Sequence, residues 1–405
     1  MTTMRPIRET IPVEEAKALA LEASTPVDRV ERVSIGEADA RVLAVSVVSS
    51  VDVPPFDRAA MDGYAVLALD TFGAGRNDPR LLRSIQTTYS GDAAARRISA
   101  GECVEIATGA PIPDGADAVV MVEETEKTVD GIRIFTPVYP GQHIGRRATD
   151  IAEGQPVVTA GAVLSAARIG ALAAIGTTSV EVFARPHVTI VSTGNELVEV
   201  GRPLGPGQIY DINRFTLSSI VRSHGGIPVT LATVSDELDG LVGAIRAAAS
   251  ADLIIFSGGS SVSERDLMQD ALRQTGEVIF PGIAVKPGKP TILGKVGATP
   301  VLGMPGNPTS CLSNAYLLVI PMLRRMARLP PYVPHTVNLP LSRRIVSTSG
   351  RHQFYTIRVS DGAAVPAFKG SGDITSMAHA DGYIEIPAQT DIVEAGQVVE
   401  VKLFQ

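Results

Sequence analysis

The stretch from residue 251 to residue 310 constrains the fold of this chain most strongly. Two short apolar runs, residues 253–256 and 300–303, are each followed by a loop rich in glycine with serine or proline. Continuous apolar runs bounded by glycine are typical of strands buried on both faces of a parallel sheet. The carboxyl ends of such strands share one edge, where open α/β sheets bind their ligands. The stretch therefore predicts a ligand site at the edge of a parallel sheet.

Charged residues lie within the same stretch. Lys286 and Lys289 flank a Pro-Gly pair, and Asp266 follows the first glycine-rich loop. Backbone N–H groups, two cations and a carboxylate at one edge suit a phosphorylated anionic ligand together with a metal ion. From the residues alone, the alternative is a pair of solvated lysines on a turn.

The rest of the chain indicates several domains, because 405 residues exceed one ordinary core. Short strands at regular spacing between residues 64 and 144 predict an inserted β domain, and an alanine-rich helix at residues 165–175 returns to the domain before it. Strands and helices alternate from residue 187 to residue 328, which is typical of a doubly wound α/β domain. Period-two alternation after a proline-rich linker predicts a C-terminal β barrel or sandwich.

We therefore predict a multidomain fold of the α/β plus β class. The predicted parts are a discontinuous N-terminal α+β domain (residues 1–48 and 145–183), an inserted β domain (49–144), a doubly wound domain (184–329) and a C-terminal β barrel (330–405).

Composition argues against several functional classes. The net charge of −7, without long runs of one sign, disfavours non-specific nucleic-acid binding. The two cysteines, Cys103 and Cys311, lie far apart and imply neither a disulfide framework nor a zinc site, which fits a reducing compartment. Because the sequence shows no signal-peptide pattern and no apolar stretch of ~20 residues, we expect a cytoplasmic protein without a membrane partner.

Seven motifs occur in order along the chain: FDRAAMDGYA, TGAPIPDGADAVV, STGNEL, GQIYDIN, SGGSSVSERD, VKPGKP and GMPGNP. In this order and spacing they resemble the molybdopterin molybdenumtransferases, a family that includes bacterial MoeA and the C-terminal half of gephyrin. The resemblance covers essentially the whole chain. It implies an elongated four-domain homodimer that inserts molybdate into adenylated molybdopterin and releases AMP, with a divalent metal, usually Mg²⁺. It also implies an active site between the doubly wound domain, which binds molybdopterin, and the β insertion and C-terminal domain of the partner subunit.

The resemblance assigns roles to residues by position. Catalytic roles fall on Asp57, Thr108, Asp150, Glu196, Asp236 and Asp266. The expected metal ligands are Asp236, Asp266 and Glu196. Binding of the substrates falls on Ser257, Gly258, Gly259, Lys286, Lys289, Pro305, Gly306, Asn307, Ser310, Arg351 and Ser371. Simpler functions stay open for some of them: Asp236 as a helix N-cap, Glu196 as a first-turn acid, and the glycines as tight turns.

The chain departs from the family pattern at two places. Ala148 and Thr149 precede Asp150 where the family usually has Gly-Glu, and Ser260 and Ser263 replace a valine and a glycine. If the position of Ser263 requires a positive φ, serine costs ~1 kcal/mol there.

Two other functions use the same domains. A molybdopterin adenylyltransferase or nucleotide-cleaving relative is disfavoured by the additional residues 1–183 and 330–405, and a non-catalytic scaffold of the gephyrin type by the retained Asp57, Asp236 and Asp266. The sequence does not distinguish molybdate from tungstate, does not identify the metal, and leaves open whether a partner adenylyltransferase delivers the substrate by docking.

Overall fold

Helices and strands follow one another along the chain largely as the apolar pattern predicts. The structure, a computed structural model, describes residues 9–258 and 262–404, with the backbone alone for residues 262–265. The α-helices are α1 (Val13–Ala23), α2 (Ala166–Ala174), α3 (Asn213–Ser223), α4 (Leu238–Ala247), α5 (Val262–Thr275), α6 (Pro308–Asn314), α7 (Ile320–Met326) and α8 (Thr375–Ala378). The strands are β1 (Val30–Ser34), β2 (Val47–Val48), β3 (Arg58–Ala59), β4 (Gly63–Val66), β5 (Arg80–Thr88), β6 (Glu102–Ile106), β7 (Ala118–Met121), β8 (Thr125–Thr128), β9 (Gly131–Ile134), β10 (Ile144–Gly145), β11 (Pro156–Val158), β12 (Ser179–Phe183), β13 (His187–Ser192), β14 (Leu197–Val198), β15 (Ile209–Tyr210), β16 (Ile227–Thr230), β17 (Leu253–Ser257), β18 (Glu277–Phe280), β19 (Val285–Lys286), β20 (Ile292–Val296), β21 (Thr299–Met304), β22 (Thr336–Pro340), β23 (Ile345–Val346), β24 (His352–Ser360), β25 (Ala363–Pro366), β26 (Gly382–Ile386), β27 (Ile392–Val393) and β28 (Val398–Leu403).

These elements belong to two units. The larger unit comprises Met1–Glu31, Ala40–Val42 and Val182–Gln405, and the smaller unit comprises Arg32–Asp39 and Leu43–Glu181. The predicted boundaries of four domains stay a prediction.

The central sheet of the larger unit has the strand order β16-β13-β17-β21-β20-β18. Strands β16, β13, β17 and β21 are parallel, whereas β20 and β18 run antiparallel to their neighbours. Ser257 and Met304 pair at the carboxyl ends of β17 and β21. This confirms that the two loops highlighted by the sequence leave the sheet at the same edge.

Helices cover both faces of this sheet. Leu253 and Ile255 of β17 point into a core shared with α3, α6 and α7, while Ile254 and Phe256 point into a second core with α4 and α5. Alternate residues of one strand therefore face different cores, which explains why β17 reads as a continuous apolar run.

The first helix packs in the larger unit. Its apolar stripe, Val13, Ala16, Ala20 and Ala23, is buried in the same core as α7. The sequence predicts that residues 1–48 form a discontinuous domain with residues 145–183. The burial of this stripe instead makes α1 part of the core beneath the central sheet.

The C-terminal residues form a second sheet of the larger unit. Its strand order is β19-β24-β26-β28-β22, with β25 added to β24. Strand β19 belongs to the loop that carries Lys286 and pairs in parallel with β24. The closure of these strands into a barrel stays a prediction.

The smaller unit contains a sheet of strand order β7-β4-β6-β5-β9-β8, which confirms the strands predicted between residues 64 and 144. The alternating residues 30–53 predict a strand or a strand pair in the later part of that segment. The structure has the two-residue strand β2 there, whereas the exposed strand β1 lies in the earlier part and is followed by a 3-10 turn at Ile35–Glu37. None of the helices in residues 9–258 and 262–404 is long and apolar enough to cross a membrane.

Candidate functional site

A cavity of 400 Å³ in the larger unit brings together residues that the motifs assign to ligand binding. It is lined by Lys286, Lys289, Pro305, Asn307, Ser310, Arg351 and Ser371, together with Val285, Pro287, Gly288, Pro290, Phe368 and Gly370. These walls carry three cationic side chains, and the lining residues described include no carboxylate. We refer to this space as the cationic cavity. Its positive potential suits an oxyanion.

The origin of Arg351 and Ser371 corrects one expectation. The resemblance implied that the C-terminal domain of the partner subunit completes the site. In the structure, Arg351 and Ser371 line the cationic cavity together with Lys286 and Lys289 of the same chain. The physical reason is the parallel pairing of β19 with β24, in which Lys286 lies opposite Gln353. This pairing brings the start of the C-terminal sheet to the lysine loop.

A second cavity, of 570 Å³, adjoins the first at Asn307, which lines both. Its wall contains the predicted residues Glu196, Ser257, Gly258 and Gly306. Sequence reasoning did not single out the other polar side chains in its wall, Thr193, Tyr210, Asp211 and Asn213. We refer to this space as the acidic cavity, since Glu196 and Asp211 both line it.

The segment between β21 and α6 is fixed by hydrogen bonds from distant residues. Asn213 Nδ2 donates to the Gly306 carbonyl oxygen at 2.8 Å, and the Thr309 N–H donates to the Ser371 carbonyl oxygen at 3.0 Å. Asn307 Nδ2 donates to Ser371 Oγ at 3.3 Å. Asn213 belongs to the GQIYDIN motif, but neither its role nor that of Thr309 is predictable from the sequence, because their partners are backbone groups far away in sequence. These bonds hold the wall between the two cavities.

Asp211, in the GQIYDIN motif, has a structural role that the motif alone does not indicate. It is 5% exposed, accepts a hydrogen bond from Ser192 Oγ at 2.5 Å and caps α3 through the Arg214 N–H at 3.1 Å. Its carboxylate therefore fixes the start of α3 against the end of β13.

Gly258 is required at its position by close contact. Its φ is +143°, and an added Cβ would lie 2.1 Å from the Thr193 carbonyl oxygen. The ends of β13 and β17 can approach each other here only because this residue has no side chain. Gly259, also predicted to bind substrate, and Ser260 lie outside the described residues, as does the side chain of Ser263.

The proposed metal ligands lie on three different elements. Asp236 lines a narrow cleft beside Gly258, and Asp266 lies on α5 next to Leu267 and Met268, which line the same cleft. Glu196 lines the acidic cavity. Within the described residues, no group of three or more His, Cys, Asp or Glu side chains is placed to hold a metal ion by itself.

The smaller unit holds the remaining predicted residues. Asp57 accepts hydrogen bonds from the Arg147 N–H at 2.8 Å and from Arg146 Nη1 at 2.6 Å. The hydrogen bond from the Arg147 N–H and the ion pair with Arg146 outweigh partial burial and lower the pKa of the Asp57 carboxyl. Asp57 is therefore ionised well below neutral pH, and its carboxylate fixes the turn that carries both arginines.

Thr108 is held by an aspartate that the sequence analysis did not select. Its N–H and its hydroxyl both contact Asp62 Oδ1, at 2.7 and 2.9 Å, and these hydrogen bonds lower the pKa of the Asp62 carboxyl. The hydroxyl proton of Thr108 is directed to Asp62, which leaves the oxygen lone pairs as acceptors. Asp62 belongs to the FDRAAMDGYA motif, so the motif itself was the signal that could have identified it.

Asp150 lies on a different wall of the smaller unit. Asp150 is exposed, and it lines a cavity of 380 Å³ together with Gln155 and the small residues of α2. Ala148, two residues before it, adopts φ +61°.

Family models match almost the whole chain. Residues 11–176 match the model of the MoeA N-terminal region (domain I and II), residues 189–325 a probable molybdopterin binding domain, and residues 338–404 the MoeA C-terminal region (domain IV). A molybdopterin molybdenumtransferase 2 of Mycobacterium tuberculosis is 37% identical over 91% of this chain and 94% of its own length. The chain belongs to the molybdopterin molybdenumtransferase family.

Other relatives of this family agree along the whole length. A molybdopterin molybdenumtransferase of Haemophilus influenzae is 32% identical over 97% of this chain and 98% of its own. Two solved structures of molybdopterin biosynthesis MoeA proteins from Pyrococcus horikoshii superimpose with TM-scores of 0.84 and 0.82, at 38% and 31% identity. Each covers 98% of this chain and 100% of its own. The multidomain, mixed α/β architecture of the molybdenumtransferase family is thus shared by this chain.

Proposed function

We propose that this protein is a molybdopterin molybdenumtransferase, which inserts molybdate into adenylated molybdopterin and releases AMP in molybdenum cofactor biosynthesis. The observation that carries the proposal is the pair of adjoining cavities of the larger unit. One is cationic and the other contains glycine-rich strand ends and carboxylates, with Asn307 between them. The relatives named above carry the same activity in their names.

In this proposal the cationic cavity binds molybdate. Lys286, Lys289 and Arg351 provide positive charge, and Ser371 provides a hydroxyl donor. Two anions react only if their repulsion is screened, and preorganised cations in a partly enclosed site provide that screening. The half-buried lysines lie on a loop whose prolines restrict φ, so little backbone freedom remains to be lost on binding.

The acidic cavity is then the site for adenylated molybdopterin. Its 570 Å³ lies within the range of ordinary small-molecule pockets, about 300–1,000 Å³. Backbone N–H groups near Gly258 and Gly306 would donate to the phosphates. The Glu196 carboxylate would accept hydrogen bonds from the N–H groups of the pterin.

A divalent metal, Mg²⁺, fits these carboxylates only if the phosphate oxygens of the substrate complete its coordination shell. Mg²⁺ takes one or two protein carboxylates and completes its shell with phosphate oxygens and water, so the absence of a three-carboxylate group in the described residues is compatible with it. Asp236 and Asp266, with Glu196 towards the substrate, would hold the ion. When bound, Mg²⁺ would neutralise charge on the phosphate oxygens as AMP leaves.

The smaller unit contributes Asp57, Thr108 and Asp150 in this proposal. Asp57 is paired with Arg146 and its pKa is lowered, so it is a weak base and orients the arginine. Thr108, fixed by Asp62, accepts a hydrogen bond from a substrate. Asp150 is the candidate proton acceptor of the three.

We further propose that the protein is cytoplasmic, acts as a homodimer and receives its substrate from a partner adenylyltransferase. Two small domains carry FDRAAMDGYA and the segment SGRHQF, residues 349–354, which contains Arg351. Each is too small to enclose a site alone, which motivates the dimer. Sedimentation at micromolar concentration should give the mass of a dimer, and a monomer would contradict this part.

The test of the function is AMP release. Purified protein is incubated with adenylated molybdopterin, Mg²⁺ and molybdate, and we expect AMP to form only when molybdate is present. A parallel reaction with molybdopterin and ATP distinguishes this function from that of an adenylyltransferase, because only an adenylyltransferase would form adenylated molybdopterin. Neither product would indicate a non-catalytic scaffold and contradict the proposal.

A further inference from the structure

One buried side chain contacts the lysine loop of the cationic cavity from behind. Asn314, at the end of α6, is completely buried, and its Nδ2 donates to the Gly288 carbonyl oxygen at 2.9 Å and to Thr291 Oγ1 at 2.5 Å. Thr291, also completely buried, directs its hydroxyl to the same Gly288 oxygen at 2.9 Å. The three groups form a closed triangle of hydrogen bonds beneath the loop.

The orientation of the amide follows from its partners. One atom of the Asn314 amide contacts both Gly288 O and Thr291 Oγ1, and a carbonyl oxygen can only accept, so that atom is the nitrogen. Asn314 Oδ1 is buried and has no hydrogen-bond partner among the described residues. A buried unpaired oxygen opposes folding. An apolar residue of the same size would avoid this penalty. The benefit of asparagine therefore lies in the hydrogen bonds that its nitrogen donates to Gly288 and Thr291.

Gly288 lies between the two lysines, and its conformation depends on this contact. Its φ is +108°, and an added Cβ would lie 2.1 Å from Asn314 Nδ2. The backbone of the loop therefore rests directly on the amide. Pro287 and Gly288 are buried, whereas Lys286 and Lys289 on either side are half-buried and line the cavity. The position of Gly288 thus determines where both lysine side chains begin.

We propose that Asn314 is a positioning residue of the cationic cavity: its amide fixes Gly288 and thereby sets the relative placement of Lys286 and Lys289 around the bound oxyanion. The inference rests on the proposed function of this cavity. Asn314 does not line the cavity and acts only through the loop. It should therefore matter for molybdate more than for adenylated molybdopterin.

The test compares Asn314→Leu with Ser313→Ala. Ser313 is the neighbouring residue of α6 and is equally buried. Among the described residues, its hydroxyl donates only within the helix, to the Thr309 carbonyl oxygen at 2.5 Å. Isothermal titration with sodium molybdate measures Kd, and steady-state AMP release measures KM for adenylated molybdopterin. We expect Asn314→Leu to raise the molybdate Kd by about tenfold or more, since small misplacements of binding groups have effects of this order. The KM for adenylated molybdopterin should change by less than about threefold, and Ser313→Ala should leave both constants within that range, because it shares no partner with the loop.

Several results would overturn the inference. Equal molybdate Kd values for Asn314→Leu and the unchanged protein would do so, and so would parallel rises in both constants, which indicate general loosening. If Asn314→Leu does not fold, Thr291→Val removes the hydroxyl shared by Asn314 and Gly288, and the same selective loss of molybdate binding is expected. If the unchanged protein does not bind molybdate, the proposed function fails together with this inference. Normal binding by every variant overturns the inference alone.

Discussion

At the scale of single residues, Ala148 has a strained backbone conformation close to a predicted site residue. Ala148 stands where the family usually has glycine, and it adopts the left-handed φ of +61°. Its N–H donates to the Pro54 carbonyl oxygen at 3.0 Å, which closes the turn that carries Arg146 and Arg147 beside Asp57. A Cβ in this conformation costs roughly 1–2 kcal/mol. The departure from the family pattern therefore has an energetic consequence next to a predicted site residue.

Ala148→Gly should stabilise the smaller unit. Relief of the left-handed strain exceeds the extra entropy of glycine in the unfolded chain, so we expect the free energy of unfolding to rise by about 1 kcal/mol. Ala152→Gly is the control: Ala152 lies four residues on and has no positive φ, so glycine there should be neutral or destabilising. Urea denaturation of the three proteins decides, and a loss of stability in Ala148→Gly would contradict the prediction.

His224 should make the stability of the larger unit depend on pH. It is 6% exposed, and burial, aided by Arg324, lowers the pKa of its imidazole from 6.5 to about 4. Unfolded histidine binds a proton first as the pH falls, so the stabilisation is present above pH 6.5 and is lost between pH 6.5 and about 4. We expect a loss of about 2 kcal/mol between pH 7 and pH 5 from this residue.

The comparison of His224→Phe with His335→Gln tests this dependence. Phenylalanine keeps a ring against Tyr332, whose centroid lies 5.5 Å from that of His224, but cannot bind a proton. His335 is exposed, so its replacement should leave the pH dependence intact. Urea midpoints measured from pH 7 to pH 5 should fall less in His224→Phe than in the other two proteins. The same slope in all three would show that His224 is not responsible.

One half-buried carboxylate, that of Glu385, connects several elements of the larger unit. Glu385 of β26 contacts Lys402 of β28 at 2.6 Å, His352 of β24 at 2.7 Å and Lys17 of α1 at 3.5 Å. Burial opposes ionisation of Glu385, but the close contact with His352 and the hydrogen bond from Lys402 outweigh it and hold the pKa well below its usual range. The resulting stability is present above the ordinary pKa of a glutamate and is lost as the pH falls below it.

Glu385→Gln should destabilise the larger unit strongly. Removal of the negative charge leaves the half-buried Lys402 and Lys17 without their shared counter-charge. We expect a loss of about 1.5–3 kcal/mol, which is less than the loss in a fully buried network, because these groups keep contact with solvent. Glu14→Gln is a matched control, since Glu14 also contacts Lys17, at 2.9 Å, but its side chain is 77% exposed. Thermal melts should show a large shift for Glu385→Gln and almost none for Glu14→Gln. Equal shifts would contradict the central role of Glu385.

The periodicity of apolar residues predicts which segments are helices and which are strands. It does not predict how the strands pair or where a helix is irregular. Apolar residues at helical spacing predict a helix over residues 11–23 and another from residue 238 to residue 245, and the structure has α1 and α4 there. The antiparallel pairing of β20 with β21 was missed, although the two-residue connection with Gly297 at φ +59° is a hairpin signal. The sequence predicts one helix over residues 309–328, whereas the structure has α6 and α7 joined by a π-helical segment, Ala315–Val319. Pro321 follows it and lacks the N–H that would bond to Leu317, which is a physical reason for the irregularity.

On the scale of the whole molecule, the motifs identified the residues around the cavities but not the residues that hold them. Lys286, Lys289 and Arg351 were predictable because charged residues occur in recognisable motifs. Asn213, Thr309 and Asn314 were not, since each acts through a hydrogen bond to a backbone group that lies 26 to 93 residues away. Such partners become neighbours only when the sheet edge and the C-terminal strands are in place. The sequence therefore predicts residues that line the cavities, and the fold reveals the residues that hold those walls in place.

The central claim is that the cationic cavity binds the oxyanion. The most direct test is isothermal titration of molybdate into Lys286→Ala/Lys289→Ala over a salt series, with Lys295→Ala, a lysine outside this cavity, as the control. In the unchanged protein and the control, affinity should fall as salt rises, because screening acts over about 8–10 Å. The double variant should bind about 2–4 kcal/mol more weakly, with a flatter salt dependence, because two charged hydrogen bonds are lost. Unchanged affinity and an unchanged salt slope would contradict the account.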